Sequence, residues 1–173
     1  MKKTFIGLLL VALFLVGCGN EEKESKFFSD VQSLATGSYG MAIQSEQIGT
    51  RYLEVWKDTI FDKRVVIDEK VYTDFNNSLS AQRLLFASNG KLDDLETTSE
   101  ELKKLYKSLK DEDIEKYSDE FKSAKDFYLK AVEFKSVSTE PNGSYTSYSE
   151  NFSTARDELL SMYSSLKVEL DLE

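Results

Sequence analysis

DIEKYSDEFKSAKDFYLKAVEF, residues 113–134, decides how the rest of the chain is read. Ile114, Tyr117, Phe121, Ala124, Tyr128 and Ala131 recur at alternating intervals of three and four, and Phe127 and Phe134 widen the same stripe. That is the spacing of one buried face on an α-helix, and it predicts a helix from about residue 113 to 136. Asp111, Glu112 and Asp113 fall at its expected start, where negative charge suits the helix dipole.

Downstream, Tyr148, Phe152, Ala155, Leu159, Met162 and Leu166 repeat the pattern. Ser147, with Glu150 three residues later, offers a capping box at that helix's start. Between the two stripes lies Ser138-Thr139-Glu140-Pro141-Asn142-Gly143-Ser144, in which Pro141 stops one helix and Asn142-Gly143 supplies positive φ. The two segments therefore read as an antiparallel helix pair.

Upstream the pattern is broader. Leu92, Leu95, Leu102, Leu105 or Tyr106, and Leu109 mark a helix from about 91 to 110, with Thr98 and Glu101 a cap if a new helix starts there. Phe75, Leu79, Gln82, Leu85 and Phe86 mark another from about 72 to 88. Asn89-Gly90 separates them and either ends a helix or kinks one, because Gly costs only about 1 kcal/mol inside a helix. Phe28, Val31, Ala35, Tyr39, Ala42, Gly49, Leu53, Trp56 and Ile60 lie near helical register as well. Ala42, Ser45 and Gly49 are small enough to admit a close helical neighbour. Val65-Val66-Ile67 is β-branched and reads as a short extended connector. After the first 27 residues there are one Pro and five Gly, too little punctuation for many tight turns. The expected fold is all-α: an antiparallel bundle of about four helices over residues 28–173.

Composition removes several kinds of chemistry. The chain of 173 residues has no His and one Cys, so a Ser/His/Asp or Cys/His catalytic group is excluded, as are an internal disulfide and a zinc site of Cys and His. A net charge of −9 argues against a nucleic-acid partner, since phosphate affinity comes chiefly from Lys and Arg. About 146 residues of body suffice for one cored domain and are too few for a two-lobed solute receptor. No Gly-rich phosphate loop or Gly-x-Ser-x-Gly elbow occurs. Asp111-Glu112-Asp113-Ile114-Glu115 places acids at alternating positions, but Lys116 stands where a calcium loop needs Gly, so no metal is expected. No cofactor is expected either.

The N-terminus carries the strongest motif. Lys2 and Lys3 precede an uncharged run from Phe5 to Val16. Its 12 residues would span about 18 Å as a helix, short of the roughly 30 Å hydrocarbon core, which is the length of an export signal and not of a membrane span. The run ends in Leu15-Val16-Gly17-Cys18, which resembles the bacterial lipobox, with Val16 where Ala, Ser or Thr is more usual. The resemblance covers residues 1–18. It implies cleavage between Gly17 and Cys18 and a diacylglycerol on the Cys18 sulfur, hence a membrane partner held through lipid on the extracytoplasmic face. Two acyl chains anchor a protein firmly where one does not. Loss of Lys2 and Lys3 would leave a charge of −11, so lipid, and no basic patch, must supply the membrane affinity. Residues 1–17 are thus the expected signal peptide and 18–27 a lipidated, flexible tether. The lipobox, the absence of catalytic chemistry and the acidic surface lead to the expectation of a non-catalytic binding module for another protein or an envelope component; the body behind the tether resembles small helical lipoproteins of Gram-positive bacteria, including prophage-encoded ones that block superinfection.

Two readings of the surface remain. Most aromatic residues fall on the helical stripes and read as core, whereas Tyr145 and Asn142 lie in the Pro141 loop, where Tyr145 either contacts a partner or packs back onto the helices. The alternative function is an enzyme acting on envelope polysaccharide through two carboxylates, which needs a cleft with the pair about 5 to 9.5 Å apart.

Overall fold

The computed structural model describes the backbone of residues 5–112 and 114–172, and side chains from Glu21 onward apart from Asp113 and Glu173. Five α-helices and one β-hairpin are present among them: α1 (Phe5–Phe61), β1 (Val65–Ile67), β2 (Lys70–Tyr72), α2 (Phe75–Ser88), α3 (Lys91–Glu112), α4 (Ser118–Thr139) and α5 (Tyr145–Glu169), with a 3₁₀ turn at Glu115–Tyr117 before α4. The helical class agrees with the periodicity. Five helices stand at the upper end of an expectation of three to five centred on four, and the small antiparallel sheet has no counterpart in that expectation.

α1 is the axis of the fold and packs against all four other helices. Its side chains are buried on several sides: Val31, Ala35, Ala42, Gly49 and Trp56 lie inside, as the register suggests, but so do Leu34, Met41, Ile48, Tyr52 and Val55. A one-stripe pattern describes a helix with one partner; a helix with neighbours all round buries more than one stripe.

Phe27 is 1 % exposed and belongs to the core, and residues 21–27 are helical. Glu24, inside the expected tether, pairs with Lys116 of the 3₁₀ turn at 2.7 Å. This hydrogen bond holds the Lys116 ammonium above its usual range. The boundary expected between a flexible tether and a body at residue 28 therefore falls inside a helix. A charge-rich stretch with no apolar period is still helical here because Phe27 and the Glu24 pair fix one end of it.

The Asn89-Gly90 question resolves as a break. Asn89 donates its N–H to the Leu85 carbonyl, and Gly90 adopts φ +80, a conformation that favours glycine. α3 then runs unbroken through Thr98, whose hydroxyl bonds back to the Asp94 carbonyl at 3.0 Å, so the Thr98–Glu101 cap is not used.

Two boundaries differ from the sequence expectation. Asp111 and Glu112 end α3 and do not begin the next helix; the extended backbone of Ile114 (φ −89, ψ 107) turns the chain, and Asp119 and Glu120 occupy the first turn of α4. Asp113 lies outside the described residues. At α5 the N-cap is Ser144 rather than Ser147: the Ser144 hydroxyl accepts from Ser147 N–H at 3.1 Å, and the Ser147 hydroxyl accepts from Ser144 N–H at 3.0 Å. A second serine replaces the usual Glu or Gln of this motif, which is why the Ser147–Glu150 spacing misleads.

Val65-Val66-Ile67 is more than a connector. It pairs with Lys70–Tyr72 around Asp68 and Glu69, both at positive φ (49 and 61), the geometry of a two-residue hairpin turn. Asp-Glu lacks the Gly that usually announces such a turn. Val65 and Ile67 face inward onto Val55, and Leu79, Ala81 and Leu85 of α2 pack against them.

Candidate functional site

The C-terminal end of α1, the hairpin, α2 and the α4–α5 loop meet at one pole of the molecule. Polar contacts join them: the Arg51 guanidinium donates from Nε to the buried Gln82 amide oxygen at 3.1 Å and from Nη2 to the Val66 carbonyl at 3.5 Å, and the Thr59 and Ser78 hydroxyls bond at 3.0 Å. Each links α1 to α2 or β1; the Thr59 and Ser78 hydroxyls also donate within their own helices to the Val55 and Phe75 carbonyls, and Arg51 pairs with Glu54 at 3.0 Å.

Beside this seam lies an open groove of about 420 Å³, walled by Tyr52 of α1, by Leu79, Ser80 and Arg83 of α2, and by Glu140 to Asn142 of the loop. Arg83 is exposed and donates from Nη1 to the Thr139 carbonyl at 3.3 Å, holding α2 to the end of α4. Among the described residues neither Arg83 nor Glu140 is in an ion pair, so a cation and an anion face solvent in one groove. In the adjoining groove Glu96 is paired with Lys135.

Two phenols lie at the inner side of this region. Tyr148 is 3 % exposed and donates to the Ser138 carbonyl at 3.3 Å. Tyr52 is 1 % exposed, and its hydroxyl has no hydrogen-bond partner among the described residues; the Ser138 hydroxyl is likewise unpartnered. Burial pushes the Tyr52 phenol up, against a smaller opposing effect of the Arg83 guanidinium, which lies close enough to act by charge and by polar contact without meeting the geometry of a well-formed hydrogen bond. Burial pushes Tyr148 up further, with Tyr52 adding to it. Both phenols therefore stay protonated at neutral pH, and neither is a general base there. The groove offers hydrogen bonds and charge for binding, with Glu140 as its one carboxylate.

The sequence-predicted residues are distributed as follows. Asn142 is exposed on the groove wall, where its side-chain amide donates to the Glu140 carbonyl at 3.1 Å. Gly143 takes positive φ (83), whereas Asn142 does not. Tyr145 is not in the loop: it is the first residue of α5, half-buried, and its ring meets Phe61 edge-on at 5.7 Å and Trp56 at 6.4 Å. Its ring thus packs onto α1, next to the Trp56–Tyr148 stack at 5.2 Å. Gly17 and Cys18 have side chains outside the described residues. Arg83 carries no spacing signal, being one polar residue of an amphipathic helix, whereas Tyr52, three residues after Gly49 and four before Trp56, has the spacing of a core residue and nothing that marks it as part of a groove.

No cluster of three metal-ligating side chains is present among the described residues, and no described helix is long and apolar enough to cross a membrane. No family model, curated protein or solved structure matches the chain.

Proposed function

We propose that the chain is a lipid-anchored protein of the extracytoplasmic membrane face that acts without catalysis, as a binding module for another envelope protein. The observation that carries this reading is the order of its first 18 residues: Lys2-Lys3, the uncharged run to Val16, and Gly17 before the chain's one cysteine. A diacylglycerol at Cys18 gives that thiol a use and supplies the membrane affinity that a chain of net charge −9 lacks.

The fold supports a particular posture for such a protein. Phe27, the first core side chain among the described residues, follows Cys18 by nine positions, a rise of about 14 Å if helical throughout. From Phe27 to Phe61 α1 rises a further ~50 Å, so the groove with Arg83 and Asn142 would stand at the pole away from the lipid. On this reading the finer arrangement is a bundle standing on its N-terminal end, with the binding surface outermost.

Cells expressing Cys18→Ala should release the protein into the medium or keep it as an unprocessed precursor lacking lipid, as read by fractionation and intact mass. A mature, unacylated chain retained in the membrane fraction would sink the anchoring claim.

A further inference from the structure

The hairpin is a ribbon with two unlike faces. Val65 and Ile67 point into the core, whereas Val66 and its cross-strand partner Val71 are 48 % and 59 % exposed on the outer face. Leu84 of α2, in the groove between the hairpin and α2, is 70 % exposed. An apolar outer face on a sheet of two strands is material for pairing with another chain.

The register says which backbone groups are free. With a two-residue turn at Asp68-Glu69, the Ile67–Lys70 and Val65–Tyr72 pairs exchange the ladder bonds, and Val66–Val71 is the intervening pair whose N–H and C=O groups point away from each other. On the β1 side the outward Val66 carbonyl meets Arg51. On the β2 side the outward N–H and C=O belong to Val71, and that edge has no neighbouring strand among the described residues.

We infer that the β2 edge is a self-association site, at which Val71 pairs antiparallel with Val71 of a second copy and joins two hairpins into a four-stranded sheet. Two observations and one consequence of the proposed anchoring favour a second copy as the occupant. First, the strand is self-complementary: with Val71 on the two-fold axis, Lys70 lies opposite the copy's Tyr72, so no like charges face each other. Second, residues 51–90 hold six basic and six acidic side chains and the α4–α5 loop at the same pole adds only Glu140, so nearly all of the net charge of −9 is carried by the rest of the chain. Two such molecules repel along their flanks and meet without net repulsion at the hairpin. Third, if Cys18 anchors every copy in one leaflet, the hairpins all stand at the same height. This last point rests on the proposed anchoring; the other two do not.

Disulfide trapping in the full-length protein in its own membrane tests the pairing. Two residues exchanging both backbone bonds have Cα atoms about 5.5 Å apart, within the range a disulfide spans. Under mild oxidation Val71→Cys should yield a species of doubled mass, while Glu101→Cys, exposed on α3, should give at least tenfold less. A monomeric Val71→Cys chain, an adduct to a protein of another mass, or equal trapping at both positions would overturn the proposal. Because a cysteine could perturb the strand, native mass spectrometry of the unsubstituted and Val71→Pro proteins in mild detergent provides a second reading. Proline there removes only the outward N–H, so dimer in the first and its loss in the second is the expected result; no dimer in either, or equal dimer in both, refutes it. Fractionation is scored separately: monomers in the membrane refute the pairing and leave the anchor, and trapped dimers in the medium do the reverse.

Discussion

Gly49→Ala is the sharpest test of how α1 and α5 meet. A Cβ built on Gly49 would lie 2.2 Å from Cε2 of Phe152, 2.8 Å from Cδ2 and 3.0 Å from Cζ. Ordinary contact needs well over 3 Å, so the ring must retreat by about 1 Å or more. It has little freedom to do so: Phe152 is 2 % exposed, with Phe134 at 5.2 Å and Tyr148 at 6.1 Å between ring centroids. Overpacking a core costs about 1–3 kcal/mol, and a backbone-to-ring clash this short belongs at the upper end. Against it stands the helix preference of Ala over Gly, about 1 kcal/mol. The net expectation is a loss of about 2 kcal/mol, equivalent to roughly 4–8 °C in Tm for a chain of this size.

Gly40→Ala provides the internal control. It lies in the same helix, and no atom stands within 4 Å of the place its added methyl group would take, so the same exchange should stabilise by about 0.5–1 kcal/mol. Urea unfolding followed by circular dichroism measures both, and Phe152→Leu combined with Gly49→Ala should recover part of the loss. If Gly49→Ala were as stable as the parent, or if both alanines shifted stability in the same direction, the close approach of α5 to α1 at residue 49 would be refuted.

Further predictions concern the phenols and the caps. Tyr52→Phe removes a buried hydroxyl with no well-formed hydrogen bond but with the Arg83 guanidinium beside it, so it should cost less in the same assay than Tyr148→Phe, which gives up the bond to Ser138 and should lose about 1 kcal/mol. Both phenols are raised above the ordinary value of 10.0, so the folded state holds their protons more tightly than the unfolded state. Stability is then unaffected below about pH 10 and falls as pH rises above it; absorbance at 295 nm should show these two tyrosines ionising only with unfolding, and ionisation of every tyrosine in the folded protein would contradict their burial. Ser144→Ala should cost about 1 kcal/mol, while Glu150→Ala should change stability by less than about 0.5 kcal/mol; the reverse order would return the cap to Ser147.

The sequence by itself determined the helical class, because three- and four-residue spacing survives on any helix with one dominant buried face. Ala124, Phe127, Tyr128, Ala131 and Phe134 on α4, and Tyr148, Phe152, Leu159 and Leu166 on α5, are inside as their spacing requires. It also determined the absence of histidine chemistry and the lipobox-like start, which are matters of residue identity. Only the tertiary structure decided the rest. Phe27 joins the core and α1 is enclosed by four helices because distant segments supply the contacts, whereas Val65–Ile67 pairs with the adjacent Lys70–Tyr72 through an Asp68-Glu69 turn that no glycine announces. The groove followed the same rule: Asn142 was legible from its turn, but Tyr52 and Arg83 come from different helices. No local pattern records that the fold brings 52, 83 and 140–142 to one wall, since side chains far apart in sequence acquire common chemistry only when packing places them together.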